Sequence, residues 1–162
     1  MADAGASTMI ILVASLIISG AASVVLIDAW GGLAEASDKV TSKRAADLET
    51  DVAISGDRGS TFLDVGAQEI TLFFENTGTR HLNTTTYGIF VDGIAVGTGS
   101  SMTLYPASGI WAPGTIMSVI VTDASFGYSD GELAIVTIVV KSEASGGYIG
   151  SASATEEVRF VV

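Results

Sequence analysis

The sequence predicts an α+β protein: a long N-terminal hydrophobic α-helix followed by an immunoglobulin-like antiparallel β-sandwich. Three observations carry this. Ala4 to Ile27 contains no charged residue, although Asp3 precedes it and Asp28 follows it. Downstream of residue 50 the composition shifts to Thr, Val and Ile, punctuated by Gly-containing turns at intervals of about 8–12 residues. No helical period recurs in that second part. The expected domains are therefore 1–49, a membrane span or filament core, and 50–162, the sandwich.

The first stretch, AGASTMIILVASLIISGAASVVLI, would span about 36 Å as a helix, against a bilayer hydrocarbon core of about 30 Å. Met9, Ile10, Ile11, Leu12, Val13, Leu16, Ile17, Ile18, Val24, Val25, Leu26 and Ile27 supply its bulk. A helix apolar on every side has to be buried, in lipid or among copies of itself. Ala and Gly in residues 4–7 and 19–23 favour close helix–helix approach. A cleaved secretory signal is the alternative, with AAS at 21–23 as its cleavage site. It lacks a basic n-region, since no Lys or Arg precedes Lys39.

The helical pattern continues past Asp28. Leu26, Trp30, Leu33, Val40 and Leu48 fall on one face, with Glu35, Asp38, Lys39, Lys43, Arg44 and Asp47 between them as a solvated face. Glu35–Lys39 and Lys43–Asp47 are i,i+4 pairs, worth a few tenths of a kcal/mol each. Trp30 reads as an anchor at the headgroup level. Gly31-Gly32 is a weak point, costing about 1 kcal/mol per Gly relative to Ala, and suggests a kink. The helix should end between Asp47 and Thr50. Lys39, Lys43 and Arg44, read literally, place the C-terminal side in the cytoplasm, but they mingle with acids and give weak guidance.

Strands are expected over 50–55, 61–65, 68–76, 101–105, 116–122, 132–141 and 154–162. The strongest hairpin signal is Asp92-Gly93 between Phe90-Val91 and Ile94-Ala95. Asn76-Thr77-Gly78 reads as a turn with Gly available for a positive φ. ELAIVTIVVK (132–141), almost continuously apolar, should be a central, buried strand. Trp111 precedes the turn signal Pro113-Gly114.

The chain has 162 residues, no cysteine and a formal net charge of −11. The lack of Cys excludes disulfides and thiolate metal sites. The acidic balance argues against nucleic acid as a partner, because phosphate neutralisation needs clustered Lys and Arg.

No catalytic motif emerges, and no cofactor is expected. His81 is the single histidine and reads as an exposed strand residue; no G-x-S-x-G occurs. GIAVGTGS (93–100) lacks a P-loop Lys and is hairpin material. Asp123, Asp130 and Glu132 cluster in DASFGYSDGE, but their spacing does not match a calcium loop and an acidic turn is the simpler reading. Asn83-Thr84-Thr85 is a glycosylation sequon, meaningful if the domain is extracytoplasmic.

Three stretches together resemble the archaellum protein family, within the type IV pilin-like superfamily of archaea: residues 9–30, DLETDVAISGD (47–57) and ITLFFENTGTRHL (70–82). The resemblance implies a helix in the membrane or filament core and a sandwich at the cell surface or in the pseudoperiplasm. It also implies self-assembly, other archaellum subunits as partners and, for the stator type, the S-layer. MADAGAS lacks the basic leader and the Gly-Leu-Glu of archaellins. That departure favours the stator-type protein G over a filament archaellin or an adhesive pilin.

Overall fold

The computed structural model describes residues 3–96, 98–123 and 126–162. Of the features singled out above, Met1 and Ala2 of MADAGAS, Gly97 of the glycine-rich hairpin, and Ala124 and Ser125 of the acidic turn lie outside them. The chain divides into two compact units, the first ending at Thr41 and the second running Ser42–Val162.

Helix α1 spans Asp3–Leu48. The helix runs unbroken through Gly31-Gly32, where an added Cβ would meet no neighbour. Both anticipated ion pairs form, Lys39–Glu35 at 2.7 Å and Lys43–Asp47 at 2.6 Å. Exposed as they are, they contribute little to stability.

The second unit is a sandwich-like domain of nine strands. They are β1 (Ala53–Ser55), β2 (Thr61–Asp64), β3 (Glu69–Glu75), β4 (Leu82–Val91), β5 (Ile94–Val96), β6 (Thr98–Tyr105), β7 (Ile116–Thr122), β8 (Leu133–Ser142) and β9 (Ser151–Val161). The hydrogen-bonded order is β5-β4-β8-β9-β2-β3-β7-β6, with β1 added to β3. Alternation decides the faces. Ile70, Leu72 and Phe74 of β3, Met117, Val119 and Val121 of β7, and Val136, Ile138 and Val140 of β8 point into one core. Burying each such side chain contributes roughly 1.5–3 kcal/mol.

Several expectations are corrected. The sheet is not wholly antiparallel: β2 pairs in parallel with β9 at Thr61↔Phe160 and Phe62↔Val161. After these two residues the strand crosses to the other layer and meets β3 at Leu63↔Ile70 and Asp64↔Glu69. β8 is interior to its sheet but buried on one face only, and Leu133 remains 54% exposed. The almost continuous apolar run predicts a central, buried strand; β8 is central, but its second face is open. His81 is exposed and precedes β4 rather than lying in a strand. β1 starts at Ala53, since Thr50 still closes the helix through its hydroxyl on the Ala46 carbonyl.

The Asp92-Gly93 hairpin forms, with φ of 50° and 78°, the left-handed pair that a two-residue turn requires. Gly78, by contrast, does not have a positive φ. Its glycine is required by close approach: a Cβ there would lie 2.6 Å from both the Asp51 nitrogen and the Glu49 carbonyl oxygen.

Candidate functional site: the apolar helix and its exit

Consecutive residues of a helix point about 100° apart, so four in a row sample its whole circumference. Ile10, Ile11, Leu12 and Val13 are such a run, and all are exposed on α1. The same holds for Met9, Leu16, Ile17, Ile18 (69% exposed), Val24, Val25, Leu26 and Ile27. Residues Gly5–Leu48 contain a window long and apolar enough to cross a membrane, with none of it buried within the chain. Beyond Asp28 the apolar surface narrows to one stripe, where Trp30 (66% exposed), Leu33 and Val40 stand exposed in line with Leu26. Gly5 and Gly20 have open space around them, and Ala6, Met9, Ile10, Val13, Ala14 and Ile17 line a shallow groove. Large apolar side chains left in water on this scale mark an interaction surface.

The end of this helix is held in the sandwich unit. Ala46, Thr50 and Val52 are buried. From one side comes the turn after β3, where the Gly78 N–H donates to the Asp51 carbonyl (3.3 Å) and those of Thr79 and Arg80 donate to the Glu49 carbonyl (2.9 and 3.3 Å). The Thr77 hydroxyl adds a bond to the Asp51 carboxylate at 2.8 Å. From the other side comes the start of β9. The Ser151 N–H and hydroxyl donate to Asp47 Oδ1, at 2.9 and 3.3 Å. Bonds from Lys43 and Ser151 hold the Asp47 carboxyl below its ordinary value of 3.8. Gly150 packs so tightly that a Cβ would collide with the Ala46 carbonyl and the Thr50 hydroxyl.

The turn itself is organised by Asn76, fully buried. Its amide donates to the carbonyls of Arg80 (2.8 Å) and Trp111 (2.9 Å), and its Oδ1 accepts from the Gly78 N–H (3.1 Å). Sequence reasoning found this turn but missed the buried Asn76, the grip of Gly150 and Ser151, and the burial of Trp111. The Asn-Thr-Gly run at 76–78 was the available signal, since its proximity to the helix end appears only in the fold.

The other singled-out groups serve structure. Glu132 accepts from the Ser129 N–H (2.8 Å) and fastens its own loop, while Asp130 accepts from the Val162 N–H (3.3 Å) and ties that loop to the C-terminal end of β9. Among the described residues no group of three or more His, Asp or Glu is placed to hold a metal ion. His81 lies in an open cleft with Glu49, Thr79, Arg80, Glu143 and Ser145. Asn83 is half-buried, and its Oδ1 accepts from the Thr85 N–H and hydroxyl at 2.8 Å each.

A long, exposed apolar helix followed by a β-sandwich defines the architectural class of the protein. The sequence profile of the archaeal-type flagellin family matches residues 2–150, and the chain belongs to that family. It is thus a structural protein of the archaellum, the self-assembling motility filament of the archaeal cell surface. The preference for the stator-type protein G finds no support in that match. Comparison with curated proteins finds no match.

Proposed function

We propose that this chain is a filament subunit that polymerises through α1, with residues 1–49 forming the core and 50–162 the outer sandwich. The observation that carries the reading is the helix from Met9 to Ile27, apolar around its full circumference and wholly exposed in the single chain. Such a surface needs neighbours on all sides, which sibling helices supply in a polymer and lipid supplies before assembly. From Asp28 onward one face carries Trp30, Leu33 and Val40, in line with Leu26, and the other carries charge, so this part packs on one side only. Head-to-tail contacts of this kind do not close and generate a helical array.

The outer domain carries no catalytic role in this reading. Its acidic surface keeps neighbouring sandwiches soluble and mutually repelling. Asn83 is the acceptor for a surface glycan. Other archaellum subunits and the membrane are partners during assembly.

Electron microscopy of the purified full-length protein tests this. Fibres with a helical core are expected, and a chain lacking residues 1–30 should remain a β-rich monomer. Long filaments from that truncated chain would overturn the helix-core reading. A full-length chain that stays monomeric in a membrane while capturing one stoichiometric S-layer partner would replace it with a tethering role.

A further inference from the structure

The grip on the helix exit differs in kind from ordinary side-chain packing. All its parts lie within Ser42–Val162, including the last two turns of α1. Its bonds are made by main-chain groups on at least one side at Asp47, Glu49 and Asp51, three points around the emerging chain. Two glycines, Gly78 and Gly150, let backbone meet backbone with no side chain between them to yield by changing rotamer. The supporting segments are themselves tied to central strands. Gly150 O accepts from the Ser142 N–H at the end of β8 (2.9 Å), and the Gly150 N–H donates to the Ser142 hydroxyl (2.8 Å). Asn76, at the end of β3, fixes the turn that carries Gly78. Arg80 adds its guanidinium, with Nη2 on the Ser145 carbonyl at 3.1 Å and Nε 3.6 Å from the Glu49 carboxylate.

We infer that Asn76–Arg80 and Gly150–Ser151 form a torsional coupling, a socket that makes residues 46–52 turn with the sandwich as one body. Contacts at three separate points resist twist as well as bending. A side chain at Gly31 or Gly32 would meet no neighbour beyond the helix's own backbone, so compliance along α1 belongs at these two glycines rather than at the exit. In a filament built on α1, the socket delivers rotation of each helix end to its sandwich without slack. That use rests on the filament reading, whereas the socket itself is a property of one chain.

Hydrogen exchange on the full-length chain in detergent, read by peptide mass spectrometry, is the test. In the wild type, amides 45–50 should be protected to the same degree as those of β3 and β8. Gly150→Ala should speed exchange of 45–50 by roughly tenfold or more while β3, β7 and β8 keep their protection. Asp47→Ala, which touches no core residue, should give a smaller rise confined to the same peptides. Unchanged exchange of 45–50 in both variants would overturn the socket. So would loss of protection in the strands in step with the exit, which would make it an ordinary part of the core. If Gly150→Ala fails to fold, Asp47→Ala decides alone by the same criteria. Fibre formation is scored on the same samples: fibres lost with the exit still protected would count against polymerisation only.

Discussion

The amide nitrogen of Asn76 lies 2.9 Å from the carbonyl oxygen of Trp111, two fully buried residues joined across the base of the sandwich. Trp111 completes the arrangement by donating its indole N–H to the Thr115 carbonyl at 3.0 Å. Replacing Asn76 with Ala leaves the Arg80 carbonyl without its donor inside the protein. An unmet buried polar group costs about 1–3 kcal/mol, so we expect Asn76→Ala to destabilise the sandwich by roughly 2–4 kcal/mol. Thermal melting followed by circular dichroism of the β signal checks this. A melting point equal to wild type would show that Asn76 holds nothing.

A carboxylate placed in the apolar helix should stop assembly. Ile18→Asp puts an unpaired charge where either lipid or sibling helices must surround it, at a cost of about 3 kcal/mol or more. No fibres are expected by electron microscopy, with the sandwich still folded by circular dichroism. Normal fibres from Ile18→Asp would place this residue outside any apolar interior.

Acid should loosen the helix exit. Asp47 titrates below its ordinary value of 3.8 because Lys43 and Ser151 bond its charged form. A lowered folded-state value means the stabilisation is present above pH 3.8 and is lost as the pH falls through the folded-state value. Exchange at 45–50 should therefore rise below that pH in the wild type. In Asp47→Ala the same peptides should show no such step; an equal step in both would assign it to another carboxyl group.

Alkali should act at the opposite end of the domain. Burial, followed by the hydrogen bond to Asp92 and nearby carboxylates, pushes the Tyr128 phenol from 10.0 up to about 12. The hydroxyl donates to Asp92 Oδ2 at 2.8 Å, while Asp92 Oδ1 accepts from the Ile135 N–H at 2.8 Å. The folded state holds this proton more tightly, so its contribution is intact below pH 10 and disappears as the pH rises towards about 12. Melting temperature should fall across that window in the wild type and fall less in Tyr128→Phe. Parallel curves for the two proteins would rule out Tyr128 as the group responsible.

Much of the architecture was legible because its causes are local. The helix end was readable to within a residue or two from the loss of period near Asp47. The Asp92-Gly93 hairpin was readable because few residue pairs tolerate two successive left-handed conformations. β7 could be bounded at Ile116 and Thr122 from alternation and the preceding Pro113-Gly114 turn. The parallel pairing of β2 with β9 was not legible, since it joins segments from opposite ends of the domain and leaves no mark on either. The open face of β8 was hidden for a related reason: apolar content does not reveal whether a layer covers it. Gly78 was recognised as necessary, but for its φ rather than for the backbone pressed against it.

The sequence by itself determined that a chain with a fully apolar front and an alternating back becomes a rod joined to a sandwich. Hydrophobic period and turn chemistry act over a few residues, so they can be read one segment at a time. Only the tertiary structure decided how the rod is held, because the Ser151 N–H meets Asp47 across a separation of 104 residues. Closing so long a loop depends on the whole sandwich having formed, and the shape that results leaves no room for a Cβ at Gly150 against the Ala46 carbonyl.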